Sequence, residues 1–236
     1  MPKEMAISGT HDRLIKALAE EISFEDAPLV LDVGAGEGAL SAKLKAAGLN
    51  VTACDLDVDN FSVPGVECRQ VDGAGVWPYD NDTLDAVVGV EVLEHIDGHE
   101  PFLAEAARVL KPGGKLFFTT PNVLSLKSRI RFLFTGTYYS FPPLKPFVRT
   151  PARQHISPFT LNRYEWMLSQ QGLHVTRVTT DKWQTSSICL AFLLPFIRLS
   201  VLLKFGRNPD AQAQNSRVAL FGRKLFVVAE KRPSDC

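Results

Sequence analysis

Residues 28–48 read "PLVLDVGAGEGALSAKLKAAG", and this stretch decides the fold. The part "PLVLDVG" (28–34) is a short apolar run ending in glycine, and "EGALSAKLKAAG" then carries a helical pattern that Gly48 closes. Strand, glycine turn, helix is the repeating unit of parallel sheets. Outward from it the unit recurs. Strands are expected at 50–57, 66–73, 84–90, 114–120, 173–180 and 224–231, all rich in Val, Phe and Thr. Helices are expected at 11–22, with Leu14, Ile15, Leu18 and Ile22 on one face, across "HEPFLAEAARVLKPGG" before Pro112 and Gly113, and across "TLNRYEWMLSQQG". This alternation implies an α/β fold, a mostly parallel sheet covered on both faces.

Bulk properties narrow the class. A chain of 236 residues with 45% apolar content is read as one domain, 1–236, with insertions. Lys plus Arg and Asp plus Glu each total 26, so the overall charge does not mark a dedicated nucleic-acid binder. Cys54, Cys68, Cys189 and Cys236 have no CxxC spacing, and "MPKEMAISGTHDRL" has no apolar signal core. The expected setting is reducing and cytoplasmic.

In an open parallel sheet, ligands bind beyond the carboxyl ends of the strands. Asp32, Gly34, Gly36 and Gly38 fall at the first such end, where glycines admit a ligand close to the backbone and a helix start offers free N–H groups. Taken alone, this glycine pattern also fits a tight turn with no ligand. Asp55 follows about twenty positions on, a spacing that suits a carboxylate for two ribose hydroxyls. Asp72 and Gly73 end the third strand. Together these describe a nucleoside pocket.

The stretches "VLDVGAGEGALS", "VTACDLD", "VDG", "LDAVVGVEVLEHI" and "ARVLKPGGKLFFTTPN" resemble, in order, the signatures of class I S-adenosylmethionine-dependent methyltransferases. The resemblance implies a doubly wound, Rossmann-like sheet of seven strands whose last strand runs antiparallel. It implies S-adenosyl-L-methionine as cofactor, with Asp32 and the Gly34, Ala35 and Gly36 backbone at its methionyl end and Asp55 on the ribose. It further places Leu56 against adenine, Asp72 at the adenine amino group with Gly73 nearby, and Glu91 by the methionyl part. A dehydrogenase fits less well, because position 39 is Ala where G-x-G-x-x-G requires Gly.

"VGVEVLEHIDGHE" (88–100) spaces Glu91, Glu94 and His95 as on one helical turn, and three readings stay open. Glu91 touches the cofactor while Glu94 favours a helix start and His95 fills a polar pocket. Alternatively His95 or His155 is a general base for a hydroxyl acceptor. In the third, Glu91, Glu94, His95 and His155 hold Mg²⁺, Mn²⁺ or Zn²⁺. Ubiquinone-pathway O-methyltransferases and small-RNA 2′-O-methyltransferases resemble the chain at E-x-x-E-H.

Two further segments bear on the acceptor. Between Ala106 and Tyr164 there are ten Lys or Arg and no Asp or Glu, interleaved with aromatics over 125–156, so a basic and aromatic acceptor lid is expected at about 123–158. An apolar insertion at about 183–215 contains "ICLAFLLPFIRLSVLLKF" (188–205), read as a membrane-docking or dimer-forming hairpin, or as a segment buried against the sheet or under the lid. The combined expectation is methyl transfer to an anionic or lipophilic small molecule, peripheral to the inner face of a membrane. RNA methylation and a non-catalytic cofactor-binding role are the rivals.

Overall fold

A computed structural model describes residues 9–72, 75–148 and 154–233. Seven strands form one sheet: β1 (Leu29–Val33), β2 (Asn50–Asp55), β3 (Cys68–Gln70), β4 (Leu84–Gly89), β5 (Leu110–Pro121), β6 (Leu173–Thr179) and β7 (Lys224–Lys231). Their spatial order is β3-β2-β1-β4-β5-β7-β6. β1 to β5 pair in parallel, and β7 runs antiparallel between β5 and β6. The expected sheet with its reversed last strand is therefore present.

The two-residue period of the strands sorts the core into two layers. Leu31, Val33, Val87, Leu116, Phe118, Leu225, Val227 and Ala229 point to one face. There they meet α3 (His99–Val109) through Phe102, Leu103 and Ala106, and α5 (Leu161–Gln170) through Leu161, Tyr164 and Leu168. Val30, Ala86, Val88, Phe117, Phe226 and Val228 point the other way, onto Leu14 and Leu18 of α1 (Thr10–Glu21) and Leu40 and Leu44 of α2 (Ala39–Ala46).

Several sequence expectations change. Expected strand 66–73 shrinks to β3, and β5 starts at Leu110 because Leu110 already pairs with Leu84. Glu91, Glu94 and His95 do not share a helical turn. Glu91 has φ 58°, only Leu93–His95 form a 3₁₀ turn, and α3 begins at His99. The expected lid contains an unforeseen helix, α4 (Leu126–Thr135), capped by Ser125, whose Oγ accepts from Ser128 N at 3.3 Å.

The insertion consists of α6 (Thr185–Ile188), a 3₁₀ turn, α7 (Leu194–Phe205) and α8 (Pro209–Ala213), and α9 (Arg217–Phe221) then leads into β7. No residue of α7 is buried, so burial against the sheet or under the lid does not describe that helix. Among the described residues no helix is long and apolar enough to cross a membrane.

Candidate active site

The glycine turn is built by backbone strain that only glycine relieves. Gly34 and Gly36 have φ 72° and 55°, and a Cβ on Gly34 would lie 2.5 Å from Val92 Cγ2. Gly34 N and Ala35 N donate to Cys54 O at 2.8 and 3.2 Å, which ties the turn to the end of β2. Gly36 N donates to Asp55 Oδ2 at 2.7 Å, and Asp57 N donates to Asp55 Oδ1 at 3.0 Å. Both oxygens of Asp55 are thus aimed by backbone, and each keeps a lone pair for a further donor.

Asp32 is buried and accepts from Ser41 Oγ at 2.6 Å. Burial pushes its carboxyl up to about 6, against the opposing effect of the Ser41 hydrogen bond. Its direct partner is therefore α2, an anchor for the turn. Leu56 is 55% exposed at the rim next to Asp55. Asp72 follows β3, whereas Gly73 lies outside the described residues.

A second group assembles beyond β4. Glu91 N donates to Thr119 Oγ1 at 3.0 Å, and Lys224 Nζ lies 2.7 Å from Glu91 Oε2 in an ion pair outside hydrogen-bond angles. Lys224 is itself 4% exposed, and no sequence motif marks it as a site residue. Its only signal in the sequence is a cation directly before the apolar run Leu225–Ala229.

The distant His155 is brought in by a backbone strap. Ile156 N donates to Glu94 O at 2.8 Å, Ser157 Oγ donates to Ile96 O at 2.7 Å, and His95 Nδ1 lies 2.8 Å from Gln154 O. The His95 and His155 rings stack edge to face with centroids 4.8 Å apart. Glu94, His95 and His155 can each direct a ligand atom to within 4.8 Å of the others. Glu91, expected in the same set, turns instead to Lys224 and Thr119.

Glu94 is fully buried, and neither of its carboxylate oxygens has a hydrogen-bond partner. Burial first, then the nearby Glu91 charge, pushes its carboxyl well above the usual carboxylate range. Burial and the neighbouring His95 hold the His155 imidazole below its usual value. The two partnerless oxygens of buried Glu94 and the partnerless Nδ1 of half-buried His155 form a donor set suited to a cation.

A cavity of about 500 Å³ opens on His95 and His155, walled by Pro142, Pro143, Leu144 and Lys145. The surrounding charge is lower than the count of ten cations implied. Arg108 pairs with Glu105, Lys111 with Asp85, and Lys115 with Glu21 and Glu230, all within the sheet and its helices. Arg149 and Arg153 lie outside the described residues. A second concavity of about 420 Å³, at Pro28, Asp85 and Lys111, lies at the opposite ends of β1 and β4.

A parallel sheet reversed only at β7, with a glycine turn and carboxylates along one rim, defines a Rossmann-like, nucleoside-binding protein of the class I methyltransferase layout. Residues 6–178 match the family model described as a methyltransferase domain, and the chain belongs to that family. Membership implies S-adenosylmethionine as the cofactor.

Among relatives, the human mitochondrial ubiquinone biosynthesis O-methyltransferase is 32% identical over 161 residues, 63% of this chain and 42% of that protein. The ubiquinone biosynthesis O-methyltransferase of Xanthomonas oryzae is 36% identical over 135 residues, 50% of this chain and 56% of that one. The chain thus spans about half the length of these curated relatives. The solved structure of a SAM-dependent methyltransferase from Archaeoglobus fulgidus shares the fold at 18% identity, with TM-score 0.57 over 94% of this chain and 95% of that one.

Proposed function

We propose that a single domain transfers the methyl group of S-adenosylmethionine to a hydroxyl of a small lipophilic or phosphorylated acceptor, such as a quinone precursor or a lipid-linked sugar. The observation that carries this is the cluster of Glu94, His95 and His155, whose two histidines line a cavity walled by proline and leucine with Lys145 beside them. The apolar wall suits a ring or a hydrocarbon tail, and Lys145 suits an anionic substituent. The names of the human and Xanthomonas relatives point the same way.

Asp55 would receive the ribose hydroxyls, with Leu56 and Asp72 at the adenine and the Gly34 to Gly36 backbone at the methionyl end. Glu91, fixed by Lys224, would face the methionyl part. The cofactor supplies an already activated methyl group, so the chain mainly aligns the acceptor and excludes water. A neutral hydroxyl must also lose a proton. His155, held in its neutral form, can accept it, as can His95.

Glu94, His95 and His155 would also hold Mg²⁺, Mn²⁺ or Zn²⁺, and the partnerless buried carboxylate of Glu94 fits that demand. A cation bound there would lower the pKa of an acceptor hydroxyl. The free thiols of Cys54 and Cys68 on adjacent strands support a reducing, cytoplasmic setting.

Calorimetric titration with S-adenosylmethionine and with its demethylated product tests the reading. Binding should weaken at least about tenfold in Asp55→Ala, which removes two aimed acceptors. Untargeted metabolite comparison of cells with and without the gene should show one compound losing a methyl mass. If neither nucleoside gives heat, the proposal fails.

A further inference from the structure

Within the insertion between β6 and β7, the segment 182–209 leaves an apolar surface whose charges are all positive; of the flanking acids, Asp181 is paired with Arg223 and Asp210 lies on α8. On α7, Phe196 is 67% and Leu203 78% exposed, and Leu199, Leu202 and Phe205 are each more than half exposed. Residues 182–209 contain Lys182, Arg198, Lys204 and Arg207 and no Asp or Glu. The twelve residues of α7 reach about 18 Å at 1.5 Å per residue, too short to cross a hydrocarbon core about 30 Å thick.

Both ends of the insertion are fastened to α4, the helix that opens the acceptor side. Lys127 N donates to Ser187 Oγ at 3.1 Å, and Arg129 donates to Asn215 Oδ1 at 2.7 Å and to Gln214 O at 2.8 Å. The C-terminal half of α4 adds Arg131 and the exposed Phe132, Leu133 and Phe134.

We propose that α7 docks in the headgroup layer of an anionic lipid bilayer, its Phe and Leu side chains at the acyl boundary and its cations on lipid phosphates. The charge argues for this occupant over a second copy of the chain. In a two-fold dimer the same patch faces itself, so its cations would oppose cations, whereas an anionic surface neutralises them. Arg and Lys reach upward along their own methylene stems while neighbouring apolar side chains sink. Through its attachments to α4, docking would bring the acceptor cavity close to the lipid phase. The proposal does not depend on which acceptor is methylated.

Co-sedimentation of the full chain with vesicles of phosphatidylcholine alone, or with phosphatidylglycerol as about a third of the lipid, tests it. Binding should favour the anionic vesicles, weaken with added salt, and fall about tenfold or more in Phe196→Glu/Leu203→Glu. Calorimetric binding of S-adenosylmethionine by that variant should match the parent, so loss of docking is separable from loss of the cofactor site. Equal binding to both vesicles, binding to neither, or a dimer that the same two substitutions dissolve would overturn the proposal.

Discussion

Asp32 shows what a buried acid does to stability. Its carboxyl keeps a proton to about pH 6, while in the unfolded chain it ionises near 3.8. Between those values the unfolded chain binds fewer protons, so stability from this group is full below pH 3.8 and falls as pH rises to about 6. The loss amounts to about 3 kcal/mol at neutral pH. Asp32→Asn removes that titration, so its stability relative to the parent in urea melts should improve by about that amount between pH 4 and 7. A constant difference across that range would refute it. The rim aspartates were legible in the sequence because strand ends and glycine turns are local signals. The shared helical turn expected for Glu91, Glu94 and His95 fails because the left-handed backbone of Glu91 is held from far away, by Thr119 and Lys224.

At the scale of elements, β7 does more than fill the sheet. It delivers Lys224 to Glu91, so replacing the cation leaves a part-buried carboxylate without its partner. Lys224→Met should cost about 2 kcal/mol in a denaturant melt. Adding Glu91→Gln should recover at least about half of that, since the pair is coupled. Additive losses would show that the two residues act separately. The sequence hid this pairing, because a lysine at a strand start reads as a solvent-facing end. It hid α4 for a related reason. Phe132, Leu133 and Phe134 of that helix face solvent, so no apolar stripe announces the helix to a core-based reading. Helices α1, α3 and α5, which do press stripes on the sheet, lie close to the limits that the sequence predicts.

For the molecule as a whole, a ligand that binds only the folded chain must raise its stability. S-adenosylmethionine at a hundred times its dissociation constant should add about 2.7 kcal/mol, an upward shift of roughly 5–10 °C in scanning calorimetry. Asp55→Ala, measured at the same concentration, should lose most of that shift. Unchanged melting of the parent at saturation would count against the cofactor assignment. Overall neutrality was visible in composition, but the division of charge was not. Acids on helices and strands absorb Arg108, Lys111 and Lys115, while the insertion keeps its cations outward.

The placement of β7 has a further consequence for how the protein is made. Among the described residues β6 has its sheet neighbour only in β7, which comes some 45 residues later in the chain. During synthesis, β6 must therefore wait with an open edge until residues 224–231 leave the ribosome. The same late arrival supplies the lysine beside Glu91. Ribosome stalling before that point would leave a nascent protein with its glycine turn formed and the Glu91 corner without its lysine.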